Sequence, residues 1–376
     1  MKQVKPAQPA ASDARIALAH PIIGDDEKRA VLDVLESGQL AQGPVVAEFE
    51  AAFARWVGVK HAVAVSSGTA GLHLALLAHG VGAGDEVVTT PFTFIASANA
   101  VLMAGARPVF ADVEAETFCI DPAMVEAAIT SRTRAILPVH LYGHPAQMDE
   151  LTEIARRNGL VLIEDACQAH GAKVKGRNAG ALGNTAVFSL YPTKNMTSGE
   201  GGFVTTDDSS VAAAVRSLRQ HGESERYHHM VLGYNYRMTD VAAAIGLAQL
   251  ARVEGFNATR RRHAAILDSG LADIGGLATP VERSGCEHVY HQYTVRVAED
   301  RDGLRSRLSA RGIATGVYYP VPVHRQPVYA ERGYGGQSLP VAERLAQEVL
   351  SLPVHPALSG EDLQRIVQAT REEVVG

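Results

Sequence analysis

The strongest constraint on the fold is a regular alternation of two sequence patterns between His61 and Thr206. Short apolar runs rich in β-branched residues, which are typical of buried strands, alternate with segments of helical periodicity. This alternation predicts an α/β fold with a mostly parallel, seven-stranded sheet covered by helices on both faces. The predicted strands are 61–65, 86–90, 107–112, 134–139, 160–164, 185–190 and 202–206, and the helices between them are 69–79, 94–104, 122–130 and 147–158.

Lys194 lies in the loop that joins the last two predicted strands, before the glycines at 199, 201 and 202. A lysine that packs among neutral neighbours at a strand end loses hydration, which favours its neutral amine. A neutral amine can form a Schiff base with a carbonyl compound, including pyridoxal phosphate. The loop alone leaves open the alternative of a solvated surface lysine.

A second candidate, Asp165, follows the apolar strand 160–164 directly. In open α/β sheets the ligand crevice lies at the carboxyl ends of the strands, so Asp165 and Lys194 are expected to meet there. A pyridoxal site needs a carboxylate next to the ring nitrogen and a lysine next to the aldehyde, and this pair would supply both. The alternative for Asp165 is a helix N-cap.

Two strand-to-helix turns carry further candidates. The first is Ser66-Ser67-Gly68-Thr69, whose small residues open a helix and offer free N–H groups to a phosphate. The same residues also cap ordinary helices, and that alternative stays open. The second turn contains Phe94, whose ring could stack on a planar cofactor or could belong to the core.

The motifs Asp165-Ala-Cys-Gln168, Ser189, Thr193-Lys194-Asn195 and Gly199-Glu-Gly-Gly202 resemble those of the DegT/DnrJ/EryC1/StrS family, and the resemblance extends over about residues 22–356. These proteins are pyridoxal-phosphate aminotransferases of the aspartate-aminotransferase fold (fold type I) that act mainly on keto sugars linked to nucleotides. We therefore expect a flexible tail at 1–20, a large cofactor-binding domain at 21–255 and a small C-terminal α+β domain at 256–376.

The resemblance also implies roles for individual residues. Lys194 would hold pyridoxal phosphate as a Schiff base and act as general base and acid, while Asp165 would keep the ring nitrogen protonated. Asn235 would reach across a homodimer interface to the cofactor phosphate of the neighbouring subunit, so that the two chains share their active sites. The other implied cofactor contacts are Gly68, Thr69 and Ser189 to the phosphate, Phe94 stacked on the ring and Gln168 to the ring hydroxyl.

The expected substrates follow from the same resemblance. The donor would be an amino acid, glutamate in most relatives, and it would convert pyridoxal phosphate to pyridoxamine phosphate. The segment 233–238 is most similar to the perosamine-type branch, which implies a nucleotide-linked 4-keto deoxysugar as acceptor. Tyr319, His324 and Gln326 lie in the segment that would approach the sugar.

Several alternatives remain at this point. Relatives also aminate 3-keto sugars or keto-cyclitols. Others are sugar dehydratases with histidine in place of the lysine, but position 194 is a lysine here. Some relatives carry regulatory or sensory names, and the presence of both Asp165 and Lys194 argues against a purely non-catalytic chain.

Composition and charge exclude several other classes. The 376 residues carry a net charge of −6, which argues against a nucleic-acid-binding surface. The three cysteines show neither metal-type nor disulfide-type spacing, which favours a reducing cytoplasm. No uncharged run approaches the roughly 18 residues of a membrane helix, and residues 1–15 lack a signal-peptide core.

We expect no metal site in the histidine-rich segment 221–229, because the adjacent His228 and His229 diverge in direction.

Overall fold

The structure, a computed structural model, describes residues 15–375, with side chains as far as Val374. The four helices predicted between the strands begin and end within two residues of the predicted positions. The helices of the structure are α1 (Asp25–Ser37), α2 (Pro44–Val57), α3 (Gly68–Ala78), α4 (Ala96–Met103), α5 (Pro122–Ala128), α6 (Met148–Asn158), α7 (Ser209–Arg219), α8 (Asp240–Leu250), α9 (Val253–Leu271), α10 (Arg301–Ala310), α11 (Pro327–Ala330), α12 (Pro340–Glu348) and α13 (Gly360–Val375).

The strands form one large sheet and three small ones. The large-sheet strands are β1 (His61–Val65), β2 (Glu86–Thr89), β3 (Arg107–Phe110), β4 (Thr133–Leu137), β5 (Val161–Asp165), β8 (Thr185–Ser189) and β9 (Gly202–Thr206). The others are β6 (Lys173–Val174), β7 (Arg177–Asn178), β10 (Glu223–Glu225), β11 (His228–His229), β12 (Leu277–Ala278), β13 (Cys286–Glu287), β14 (Tyr293–Val297) and β15 (Val349–Leu352).

The seven-stranded sheet has the order β1-β9-β8-β5-β4-β2-β3. β9 is antiparallel to both of its neighbours, and the other pairs are parallel. The predicted mostly parallel, seven-stranded α/β sheet is therefore confirmed. Because the parallel strands share one direction, the carboxyl ends of β2, β5 and β8 lie at the same edge.

Helices cover both faces of the sheet, and side chains alternate between the two cores. Val87 and Ile163 join one core together with residues of α3, α4 and α7. Val88 and Leu162, their neighbours in sequence, join the opposite core together with residues of α5 and α6. Successive strand residues point to opposite faces, so these apolar runs bury both sides of the sheet.

The C-terminal part contains a three-stranded antiparallel sheet in the order β12-β14-β15. Side chains of α9, α10 and α13 pack around it, and Ile16 belongs to the same core. The backbone of Ile16 also donates to Gly312 O at 2.8 Å and accepts from Ala314 N at 2.9 Å. Residues 1–14 of the predicted tail lie outside the described residues. The rest of the predicted tail, residues 15–20, includes Ile16, which is attached to the C-terminal part.

Two further boundaries differ from the predictions. Val323, Tyr329 and Leu345 join the core of the large sheet, so the segment 323–349 packs against the large domain. The sequence also predicts a strand at 313–319 in the C-terminal part. The structure has only isolated bridges there, from Ile313 to Ile16 and from Gly316 to Ser351. Across residues 15–375, no helix is long and apolar enough to cross a membrane.

Candidate active site

A cavity of about 660 Å³ opens where the parallel strands end. Its walls come from the turn after β1, the first turn of α4, the segment after β5, the Lys194 loop and two segments of the C-terminal part. The lining includes Ser67, Gly68, Thr69, Thr93, Phe94, Ser97, Tyr142, Asp165, Cys167, Gln168, Ser189, Lys194, Glu200, His291, Gln292, Tyr318 and Tyr319.

Lys194 lies in the wall of this cavity, as its position after β8 predicts. Its backbone N–H donates to Tyr191 O at 2.9 Å, which closes a turn and fixes the start of the side chain. Burial lowers the pKa of the Lys194 ammonium below its usual value of 10.5, and the nearby Cys167 and Asp165 offset part of that effect. The neutral amine is therefore more populated than in a solvated lysine.

Asp165 is the last residue of β5 and is 5% exposed. Both oxygens of its carboxylate are held by protein groups: Oδ2 accepts from Ser97 Oγ at 2.7 Å, and Oδ1 accepts from Cys167 N at 3.2 Å. Thr93 Oγ1 lies 3.1 Å from Ser97 Oγ and extends this network. The carboxylate is thus fixed in the cavity before any ligand binds.

The N-terminus of α3 forms another wall of the cavity. Ser67 caps the helix by accepting from Ala70 N, and the N–H groups of Gly68 and Thr69 have no hydrogen-bond partner among the described residues. A Cβ atom added at Gly68 would lie 2.9 Å from Ser189 Cβ, and a Cβ atom added at Gly202 would lie 2.9 Å from Gly68 N. Only glycine at both positions lets the two segments approach. The free N–H groups at this helix N-terminus belong to lining residues of the cavity, where they could bind an anion.

Phe94 and Tyr319 both line the cavity, and their tilted rings lie with centroids 6.0 Å apart. Phe94 is 55% exposed, so its ring does not belong to the core. Gln168 is held at both ends of its amide, because its Oε1 accepts from Tyr142 N at 2.7 Å and its Nε2 donates to Tyr319 OH at 3.2 Å. Burial raises the pKa of Tyr319, which keeps its hydroxyl protonated.

Three predicted site residues lie outside this cavity. Asn235 is exposed, and its segment runs beside Gln220. His324 is 0% exposed, and its Nε2 lies 3.0 Å from Glu343 Oε1 on α12. Gln326 donates to Val321 O at 3.3 Å. The structure thus gives no support to His324 and Gln326 as sugar-binding residues of their own chain, because both belong to the segment that packs on the large domain.

Sequence reasoning missed several cavity residues. Ser97 lies on the first turn of α4, three residues after Phe94, so helical spacing could have identified it. His291 and Gln292 come from the segment before β14 and had no local signal. Gln292 N donates to Tyr142 O at 3.2 Å, and this contact between distant segments brings the pair into the wall.

His140 is a structural residue, as expected from its place before the aspartate strand. Its Nε2 lies 2.9 Å from Glu164 Oε2, and its Nδ1 accepts from Ala146 N at 3.0 Å, all within the buried interior.

Among residues 15–375 the structure brings together no group of three or more histidine, cysteine, aspartate or glutamate side chains suited to a metal ion.

Comparison with known proteins places this geometry in a family. The sequence profile of the DegT/DnrJ/EryC1/StrS aminotransferase family matches residues 21–371. The dTDP-3-amino-3,4,6-trideoxy-alpha-D-glucose transaminase of Streptomyces venezuelae is 46% identical over 344 residues, which are 91% of this chain and 90% of the relative. The GDP-perosamine synthase of Caulobacter vibrioides is 42% identical over 370 residues, covering 96% of this chain and 99% of the relative.

A solved structure agrees with these relatives. The crystal structure of S. venezuelae DesV in complex with a ketimine intermediate superposes with a TM-score of 0.90 at 46% identity, covering 93% of this chain and 94% of that one. The fold and the relatives together define a pyridoxal-phosphate-dependent transaminase. The chain belongs to the DegT/DnrJ/EryC1/StrS aminotransferase family.

Proposed function

We propose that this protein transfers an amino group from glutamate to the keto group of a nucleotide-linked 4-keto deoxysugar. The observation that carries the proposal is the cavity itself, in which Lys194, the fixed carboxylate of Asp165 and the open N-terminus of α3 face one space. Its relatives act in amino-sugar synthesis by name, which supports a nucleotide sugar as the acceptor.

The residues present fit pyridoxal phosphate. The unpaired N–H groups of Gly68 and Thr69, together with the Ser189 hydroxyl, would bind the phosphate. Asp165 would hold the ring nitrogen, and the exposed ring of Phe94 offers a face on which the pyridine could stack. When bound, the cofactor supplies an aldehyde that links to amines and a ring that withdraws electrons from the adjacent bond.

In this proposal Lys194 moves the proton that transamination requires. Burial lowers the pKa of its ammonium, so a larger share of neutral amine would be available to remove the proton from Cα of the donor and to deliver it to the cofactor carbon that is bonded to the donor nitrogen. The Asp165 carboxylate, which Ser97 Oγ and Cys167 N–H hold in place, would lie next to the ring nitrogen. The same two residues would act in reverse order on the sugar carbon.

A second copy of the chain would complete the site. Among the described lining residues the charged side chains are Asp165, Lys194 and Glu200, so the cavity has no guanidinium to meet the donor carboxylates or the sugar diphosphate. Asn235 is exposed next to the β10–β11 hairpin, where Tyr227 and Leu232 are 77% and 83% exposed. Large apolar side chains on a surface mark interaction sites, which supports a homodimer in which Asn235 reaches the neighbouring cavity.

The position of amination separates two candidates. The 42% identity to a perosamine synthase over almost the full chain supports a 4-keto acceptor. The 46% identity to a transaminase named for a 3-amino sugar favours a 3-keto acceptor as the second candidate. Tyr318 and Tyr319 line the cavity and would contact the sugar in either case.

The test is a paired assay of purified protein supplied with pyridoxal phosphate and glutamate. One reaction contains a GDP-linked 4-keto-6-deoxyhexose and the other a dTDP-linked 3-keto-6-deoxyhexose, and NMR locates the new amine. We expect 2-oxoglutarate and a 4-amino sugar in equal amounts, and none with a Lys194→Ala variant. Lys175→Ala, which changes an exposed lysine, is the matched control and should leave turnover unchanged. A 3-amino product, or no transfer to either sugar, would contradict the proposal.

A further inference from the structure

A second, much smaller space lies behind Lys194. It measures about 20 Å³, and Lys194 is the only one of residues 15–375 that lines both this space and the 660 Å³ cavity. Its other walls include Asn195, Phe256 and Arg260. A space of this size holds one water molecule, provided that polar groups are present to bind it.

Asn195 contributes an unpaired acceptor. Its side chain is 3% exposed, and its Nδ2 donates to Asn257 Oδ1 at 2.8 Å and to Val289 O at 2.9 Å. Asn257 in turn donates its own Nδ2 to His170 O, which fixes the orientation of both amides. The Oδ1 atom of Asn195 is left buried without a hydrogen-bond partner among the described residues.

Arg260 contributes an unpaired donor. It lies on α9 and is 5% exposed, and its Nη1 donates to Tyr290 O at 3.1 Å and His291 O at 3.3 Å. Its Nε–H is buried without a partner among the described residues. The two residues that carry these unsatisfied atoms thus line one space of the size of a water molecule. Buried polar groups in native proteins are rarely left without a partner.

We propose that this space binds one ordered water molecule, which accepts a hydrogen bond from Arg260 Nε and donates one to Asn195 Oδ1. The water joins the loop that carries Lys194 to helix α9. Because Arg260 also holds the carbonyl groups of Tyr290 and His291, and His291 lines the main cavity, the water connects two walls of the active site. Asn195 and Arg260 are accordingly positioning residues for Lys194.

A monovalent anion is the competing occupant, because Arg260 is a buried cation without an ion-paired carboxylate in the described part of the chain. Burial lowers the pKa of Arg260 to about 10, so the guanidinium is still charged at neutral pH. An anion, however, cannot donate to Asn195 Oδ1 and would be repelled by that oxygen. Water satisfies both groups, since it donates and accepts.

The first test is a high-resolution crystal structure of the protein with pyridoxal phosphate, determined with and without a sodium bromide soak. We expect a water peak within hydrogen-bond distance of Asn195 Oδ1 and Arg260 Nε, and no anomalous bromide signal at that place. The absence of a peak would overturn the proposal, and so would a bromide signal, which would show that the site binds anions.

The second test compares Arg260→Lys with Arg262→Lys. A lysine at 260 keeps the positive charge but has a methylene group where Arg260 has its Nε–H. Arg262 is exposed on the same helix, so Arg262→Lys serves as the control. We expect the peak to vanish in Arg260→Lys alone. Amide hydrogen exchange at Lys194 and Ser198 should become about twofold to tenfold faster, the range expected for one lost hydrogen bond. Equal exchange in the two variants would show that the water does not position the loop.

Discussion

At the scale of single residues, the site depends on a carboxylate that is fixed before the cofactor binds. Ser97 Oγ donates to Asp165 Oδ2 at 2.7 Å from the first turn of α4. Ser97→Ala removes this hydrogen bond and lets the carboxylate rotate away from the ring nitrogen. We expect turnover to fall by roughly tenfold, in line with the loss of a hydrogen bond to a charged group. Steady-state kinetics measure the effect, with Ser306→Ala, which changes an exposed serine of α10, as the control. Equal rates in the two variants would contradict this role for Ser97.

The lowered pKa of Lys194 makes the stability of the cofactor-free protein depend on pH. Burial makes the charged ammonium less stable than the neutral amine. Below the pKa of Lys194 in the folded protein, the buried ammonium therefore lowers the free energy of unfolding of the wild type relative to that of Lys194→Met. Above the unfolded value of 10.5 the amine is neutral in both states and this cost is absent. Wild-type stability relative to Lys194→Met should therefore rise with pH between the folded pKa and 10.5. Denaturant unfolding of both proteins over this range measures the difference, and a constant difference would show that the pKa is not lowered.

The sequence indicated Lys194 and Asp165 because their positions at strand ends determine where they lie. It could not exclude His324, since the partner of that side chain, Glu343, is 19 positions away and the contact depends on how α12 packs. It also gave no signal for His291, which reaches the cavity through contacts between distant segments. Local patterns thus predict residues on the sheet edge but not residues brought in by tertiary packing.

At the scale of elements, one aspartate connects two helices. The sequence predicts Thr239 or Asp240 as the cap of α8, and Thr239 fills that role by accepting from Ala242 N at 3.1 Å. Asp240 instead lies at the N-terminus of α2, where its Oδ1 accepts from Gly43 N and Val46 N at 2.9 Å each. Only the tertiary structure shows that the second cap belongs to a helix almost 200 positions earlier.

Asp240→Ala should therefore destabilise the protein more than Thr239→Ala does. The first change leaves buried N–H groups of α2 unpaired, at a cost of about 1–3 kcal/mol for each group. The second removes one exposed cap, which costs about 1 kcal/mol. Denaturant unfolding at pH 7 measures both free energies. A loss in Asp240→Ala no greater than that in Thr239→Ala would show that the α2 cap adds little.

Other element boundaries show the same limit of local patterns. The sequence predicts one helix from Val241 to Glu254, but the structure divides it into α8 and α9 at Ala251 and Arg252. No glycine or proline marks that break. Arg252 Nη1 donates to Glu27 Oε1 at 2.9 Å, so a contact with α1 accompanies the change of direction.

At the scale of the whole molecule, the proposed exchange of Asn235 between subunits predicts the behaviour of mixed dimers. A dimer of one Lys194→Ala chain and one Asn235→Ala chain would keep one complete site, because the chain with Lys194 receives Asn235 from its partner. A dimer of wild type and the double variant would keep none. We expect tighter retention of pyridoxal phosphate during dialysis in the first dimer than in the second. The opposite order would place Asn235 at the site of its own chain.

The absorption spectrum of the protein with pyridoxal phosphate, before and after glutamate, tests the central claim most directly. A covalent link between the cofactor and Lys194 should give a visible band at roughly 410–430 nm, which glutamate should shift to about 330 nm as the amino group is transferred. Lys194→Ala should keep its fold, by circular dichroism, and lack the response to glutamate. A wild-type spectrum that glutamate leaves unchanged, or a Lys194→Ala protein that turns over at the wild-type rate, would contradict the account.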